Sequence, residues 1–170
     1  MQSRICLLST FTAMFFWTAV TLPLSVNAQT PKEGTDSWTQ SWVRMYLSEM
    51  KVADHTVREF EIAGSTRNDK GGPMWNNFSF RGMGLAVEVG GKAHEPAANC
   101  VWADKDGDQI MADIVSSDAG NGTYTIIAGT GKYAGMTGNG EWHLIQFLPP
   151  TSDKYVRGIF ANTMHWRLPQ

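Results

Sequence analysis

The sequence predicts an all-β fold, a single antiparallel β-barrel of about eight strands, on three observations. From residue 50 onward, short segments rich in β-branched and aromatic residues alternate with glycine-, asparagine- or proline-containing turns at fairly regular spacing. No helical period separates them, which leaves a barrel or a sandwich as the architecture. The length of 170 residues suits one domain with one core.

The chain opens with a segment that does not belong to that core. Residues 1–28 carry one positive charge, Arg4, then an apolar run from Ile5 to Val20, then the small-residue exit Val26-Asn27-Ala28. Charge, apolar run and exit in that order read as a secretory signal peptide cut after Ala28, giving a secreted or periplasmic protein. An uncleaved membrane anchor is the alternative, and Ser9, Thr10, Thr12 and Thr18 in a barely sufficient span speak against it. The mature chain loses only Arg4 among its charges, so 13 Lys and Arg stand against 16 Asp and Glu, a net charge of −3. That mild acidity argues against a nucleic-acid binder or a polybasic membrane-surface protein, and no stable membrane insertion is expected after cleavage. Cys6 leaves with the signal, so Cys100 stands alone and the core, with six remaining tryptophans, must hold the fold without an internal disulfide.

Residues 29–36, QTPKEGTD, read as a flexible leader, and the barrel domain as 37–170. In SWTQSWVRMYLSEM, Trp38, Trp42, Met45 and Tyr46 fall at helical spacing and Ser37 with Gln40 fits a capping box, so a short amphipathic helix is expected there. The β-prone SWVRMYL keeps a strand open as the alternative. Strands are then expected near 51–62, 76–89, 98–104, 109–116, 122–128, 139–147 and 155–167. Gly82 and Gly84 mark a bulge or bend in the second of these, which reads as two strands or one kinked strand.

The stretch IIAGTGKYAGMTGNGEW invites a phosphate-binding reading, which its spacing defeats. A P-loop needs Gly-Lys-Ser/Thr, and Lys132 is followed by Tyr133; Gly129, Gly131 and Gly135 miss the dinucleotide spacing, and a strand-like segment follows where a helix is required. In DKDGD, Asp104, Asp106 and Asp108 alternate like the start of a calcium loop, but Gln109 and Val115 stand where such a loop needs Gly and Glu. Asp-Gly between two apolar runs is a hairpin signal instead. His55, His94, His143 and His165 have no metal-ligand spacing, so neither metal nor cofactor is expected. Asn77 and Asn121 open glycosylation sequons, which matter only in a eukaryotic host.

AGTGKYAGMTGNGEW resembles the glycine-rich hairpin of the allene oxide cyclase barrel superfamily, and dirigent proteins carry a similar one. CVWADKDGDQI is similar to a Cys-x-Trp-x-Asp-x-Asp-Gly-Asp segment of small secreted bacterial relatives of that barrel. The resemblance spans roughly residues 99–147 and implies an eight-stranded barrel and a homo-oligomer, with a trimer the common form. It brings no catalytic residue, because nothing here aligns with the glutamate and asparagine that allene oxide cyclases place in their pocket.

Barrel strands alternate inward and outward, so one parity of each can line a pocket. Glu59 and Glu61 share a face, as do Cys100 and Trp102, and Asn162, Met164 and Trp166; His143 follows the glycine hairpin. Glu61, Cys100, Trp102, His143, Asn162 and Trp166 are the candidate pocket residues. Cys100 has no base nearby in sequence, which favours a buried inert thiol. A secreted barrel binding a small apolar ligand, with cofactor-free cyclase-like chemistry left open, is the favoured reading. The alternative is a non-catalytic interaction or structural protein whose barrel is filled by side chains. An interior cavity of roughly 300 Å3 divides the two.

Overall fold

The computed structural model describes residues 31–118, 120–150, 152 and 155–169. The signal-peptide expectation lies outside the described residues. Eight strands run in chain order: β1 Glu33–Val52, β2 His55–Asn68, β3 Ser79–Val89, β4 Lys92–Ala103, β5 Gln109–Asp118, β6 Asn121–Gly129, β7 Thr137–Leu148 and β8 Tyr155–Arg167. Each pairs antiparallel with the next, and β1 returns to β8 from Glu33↔Arg167 to Met45↔Tyr155, so the sheet closes into a barrel. Closure leaves no sheet edge over the paired span, the usual solution for an all-β chain of this size.

The helix expected from residue 37 is absent: those residues lie in β1, which also takes in residues 33–36 of the expected leader. Trp38, Gln40, Trp42 and Arg44 point inward at period two and are all buried. Tertiary pairing on both sides, with β2 and β8, overrides the local helical spacing. Of the segment from 76 to 89, Ser79–Val89 forms one strand, β3, and its irregularity against β4 falls between Leu85 and Val87. β2 and β4 run further than expected, absorbing Ser65–Asn68 and Lys92–Ala97 from stretches expected to lie between strands.

The hairpin links alternate between two ends of the barrel. One end is closed by the β2–β3 connection, which folds Trp75 and Phe78 into the core. Trp75 stacks on Trp38 with ring centroids 4.4 Å apart and meets Trp102 edge-on at 5.8 Å. Thr66 Oγ1 donates to the Trp75 carbonyl at 2.7 Å and Asn68 Nδ2 to the Met74 carbonyl at 2.8 Å, so the folded-in backbone is not left unsatisfied.

The two motifs singled out in the sequence meet at this same end. Gly131–Tyr133 forms a short 3-10 turn between β6 and β7, and Gly131 has φ +52°. A Cβ at Gly131 would lie 1.8 Å from Asp108 Oδ1, so the turn needs glycine for both conformation and space. The Asp-Gly loop closes the β4–β5 hairpin, with Asp104 Oδ1 accepting from the backbone N–H of Asp106 at 2.8 Å and of Asp108 at 3.1 Å. From the glycine turn, Lys132 Nζ reaches Asp104 at 2.5 Å and Asp106 at 2.9 Å, and Tyr133 Oη donates to Asp104 at 3.0 Å. Lys132 thus clasps one hairpin loop to another. Among the described residues no group of histidine, cysteine or acidic side chains is arranged to hold a metal.

Candidate functional site

The interior of the barrel's other half holds a small void. Its walls are aromatic and aliphatic: Phe60, Phe80, Trp142 and Phe160 from four strands, with Ala98 and Ile114 between them. The cavity measures about 30 Å3, room for little more than a water. Measured against the roughly 300 Å3 of a ligand pocket, the interior in this conformation is filled.

Polar groups reach the void from three directions. Gln40 lines it from β1, and its Oε1 accepts from Trp102 Nε1 at 3.2 Å and from Trp38 Nε1 at 3.5 Å. Indole N–H groups only donate, so the amide oxygen must face them and the NH2 is left as the free end. Tyr124 lines the void from β6 and donates its hydroxyl to Asn162 Oδ1; Asn162 Nδ2 in turn donates to the Trp38 carbonyl at 3.1 Å and the Phe160 carbonyl at 3.3 Å. Burial holds the Tyr124 phenol well above its usual range, so it stays protonated.

The third direction carries charge. Arg44 Nη2 meets Glu95 at 2.6 Å, with side chains 10% and 15% exposed, a nearly buried ion pair bridging β1 and β4. The guanidinium carbon lies 4.1 Å from the Phe60 ring centroid and 5.4 Å from that of Trp42, so its faces are covered by aromatic rings. Arg44 Nε is buried with no hydrogen-bond partner among the described residues. Beyond the pair, a second cavity of about 150 Å3 opens at the barrel mouth among Tyr46, Arg58, Val87, His94, Phe147 and Val156. Arg44 and Glu95 line both cavities and so form the partition between them.

The six candidate residues separate into four groups. Cys100 lines the inner cavity, where burial first and the Glu95 charge second push its thiol up to about 12, so it is a protonated wall group rather than a nucleophile. Asn162 and Trp102 are buried behind the wall, orienting Tyr124 and Gln40. Trp166 is buried near the far end, donating to Asp36 at 2.7 Å. Glu61 and His143 turn outward instead. Glu61 pairs with Arg81 at 2.7 Å, and His143 Nδ1 lies 2.8 Å from Asn121 on the exposed surface. The alternation Phe60-Glu61-Ile62 already carried that signal, because two apolar neighbours of one parity put the glutamate on the other face. Arg44, Gln40, Glu95 and Tyr124 were missed: the first two by the helical reading of β1, Glu95 because it fell between the expected strands 76–89 and 98–104. Tyr124 was legible in the alternating Thr123-Tyr124-Thr125.

Among solved structures, the fold is similar to a pterocarpan synthase dirigent protein, GePTS1, with a TM-score of 0.49 and 9% identity over 81% of this chain and 93% of that one. It is also similar to a second pterocarpan synthase dirigent protein, PsPTS1, with a TM-score of 0.44 and 10% identity over 82% of this chain and 99% of that one. No protein-family model matches the sequence, and a comparison with curated proteins finds no match. The closed eight-stranded barrel is the architecture that the motif resemblance implied.

Proposed function

We propose that the protein is a small-molecule binding barrel that takes a compact apolar ligand in the aromatic half of its interior, entered through the mouth beside Arg44 and Glu95. One observation carries this reading: Arg44 Nε–H and Trp142 Nε1–H, buried without partners among the described residues, belong to residues that border a void otherwise walled mainly by apolar side chains. A core built for stability alone would fill that position with apolar side chains, since a buried ion pair is commonly no better than a hydrophobic replacement. The interior offers donors and flat surfaces for holding a ligand, while its thiol and phenol stay protonated. A thermal-shift and native mass-spectrometry screen of one- and two-ring compounds tests it. Binding that is lost in Ile114→Phe, which fills the cavity from its wall, supports the reading, and a panel without a single binder refutes it.

The second reading, a non-catalytic interaction or structural protein with a filled barrel, is favoured by the inner volume of about 30 Å3. It is the one left standing if the screen finds nothing. Under either reading we propose export with cleavage after Ala28 and assembly into a homotrimer. Exposed outward Met83 and Leu85 on β3 and Ile127 on β6 supply apolar surface for contact between copies. An exported protein beginning at Gln29 by intact mass, and three times the monomer mass by light scattering, are the expected results. Retention of Met1, or a monomer across a wide concentration range, overturns them.

A further inference from the structure

We propose that the Arg44–Glu95 ion pair is an exchangeable latch, and that the ligand it admits is a compact aromatic carboxylate whose acid group replaces Glu95 on Arg44. The inference rests on the binding reading above and names the ligand class for the same site.

Apart from the Glu95 carboxylate itself, the free hydrogen-bonding capacity around the inner void is one-sided. Gln40 Oε1 and Asn162 Oδ1 are already occupied by indole and phenol donors, whereas Arg44 Nε–H and the Gln40 NH2 remain to donate. The matching ligand group is an oxygen acceptor. A guanidinium presents parallel N–H groups, and a carboxylate can take two of them at once. Glu95 engages Nη2 and leaves Nε unused, so the internal pair is incomplete where an incoming carboxylate would be bidentate.

The exchange also gives Glu95 somewhere to go. It lines both cavities, β4 pairs with β5 only from Ala98↔Ile114, and toward β3 Glu95 falls in the irregularity between Leu85↔Ala97 and Val87↔His94, so neither neighbouring strand holds Glu95 in register. Turning its carboxylate out of the partition places it at the wet mouth. There the inner void and the mouth cavity of about 150 Å3 become continuous. A cavity of that order holds one benzene ring, whereas pockets for larger ligands begin at roughly 300 Å3. Size therefore selects a single-ring acid over a long acyl chain, with Tyr46 and Phe147 beside the ring in the mouth cavity and Phe60, Trp142 and Phe160 walling the inner void behind the partition.

The test uses the mature protein with benzoate and cinnamate, the isosteric neutral benzamide and cinnamamide, and palmitate, by isothermal titration at constant ionic strength. The wild-type protein is expected to bind each aromatic acid at least tenfold more tightly than its amide, with no measurable palmitate binding. Glu95→Gln, which frees Arg44 from its internal competitor, should tighten acid binding at least tenfold and leave amide binding within twofold. Amides that bind as well as the acids, acids that bind no better in a folded Glu95→Gln, or palmitate that binds most tightly would each overturn the latch and its ligand class while leaving a binding barrel intact. Failure of every compound would overturn the latch, and the binding barrel then stands or falls on the wider screen of one- and two-ring compounds. The acid–amide comparison in the wild-type protein needs no variant, so it decides the matter even if Glu95→Gln does not fold.

Discussion

Replacing Asp104 by Asn removes the charge that holds the two hairpin loops together while keeping the side chain's shape. In the folded chain its carboxylate is 5% exposed and accepts from Lys132, Tyr133 and two backbone N–H groups. Burial alone would raise its pKa, but the Lys132 ammonium, the Asp106 N–H and the Tyr133 hydroxyl outweigh that and lower it from 3.8 to about 2. At about 1.4 kcal/mol per pH unit this amounts to about 2.5 kcal/mol, and since Lys132 is 43% exposed, solvent screening brings it to between about 1 and 2 kcal/mol. A depressed acid contributes its full stabilisation above the unfolded pKa and loses it as pH falls through the folded one. Wild-type and Asp104→Asn proteins should therefore differ most above pH 4 and converge between pH 4 and pH 2. For a domain of this size the difference at pH 7 is about 3 to 8 °C in Tm. Calorimetric melts of both proteins across that range are the assay. Equal melting temperatures at pH 7, or a gap that stays constant down to pH 2, would refute the assignment of Asp104 as the centre of the clasp.

Tyr124→Phe deletes the hydroxyl that Asn162 accepts and leaves a buried amide oxygen unpaired; urea titration should show a loss of about 1 to 3 kcal/mol with an unchanged m-value, and a loss below half a kcal/mol would contradict the buried network. Cys100, buried with its thiol pushed up to about 12, should resist iodoacetamide at pH 8 in the native protein and react fully in denaturant; rapid native labelling would place it elsewhere than on the inner wall. Lys132→Met should lose most of what Asp104→Asn loses, and the double variant little more than either single one; additive losses would show that the two do not act as a pair.

The sequence by itself determined an all-β domain of short antiparallel strands, with barrel closure implied by the motif resemblance. Turn residues at regular spacing between β-prone segments leave few other ways to bury so many aromatic side chains, and the Asp-Gly and glycine-rich connections were readable as turns because each depends on local backbone chemistry. It also carried the outward placement of Glu61, in the alternation around Phe60 and Ile62. What only the tertiary structure decided lies where two periodicities coincide or where polar residues face inward. Trp38 and Trp42, four apart, share a face in a helix and in a strand alike. The residues that tell the two apart are Gln40 and Arg44, which lie on that inward face of β1 and are polar, so the pattern that should have marked a strand was broken there. Their burial is tolerable only because chain-distant groups meet them: Trp102 for Gln40, and Glu95 for Arg44 Nη2. A polar group's cost in the core depends on what meets it, and for these residues that partner arrives from strands far along the chain, through closure of the barrel.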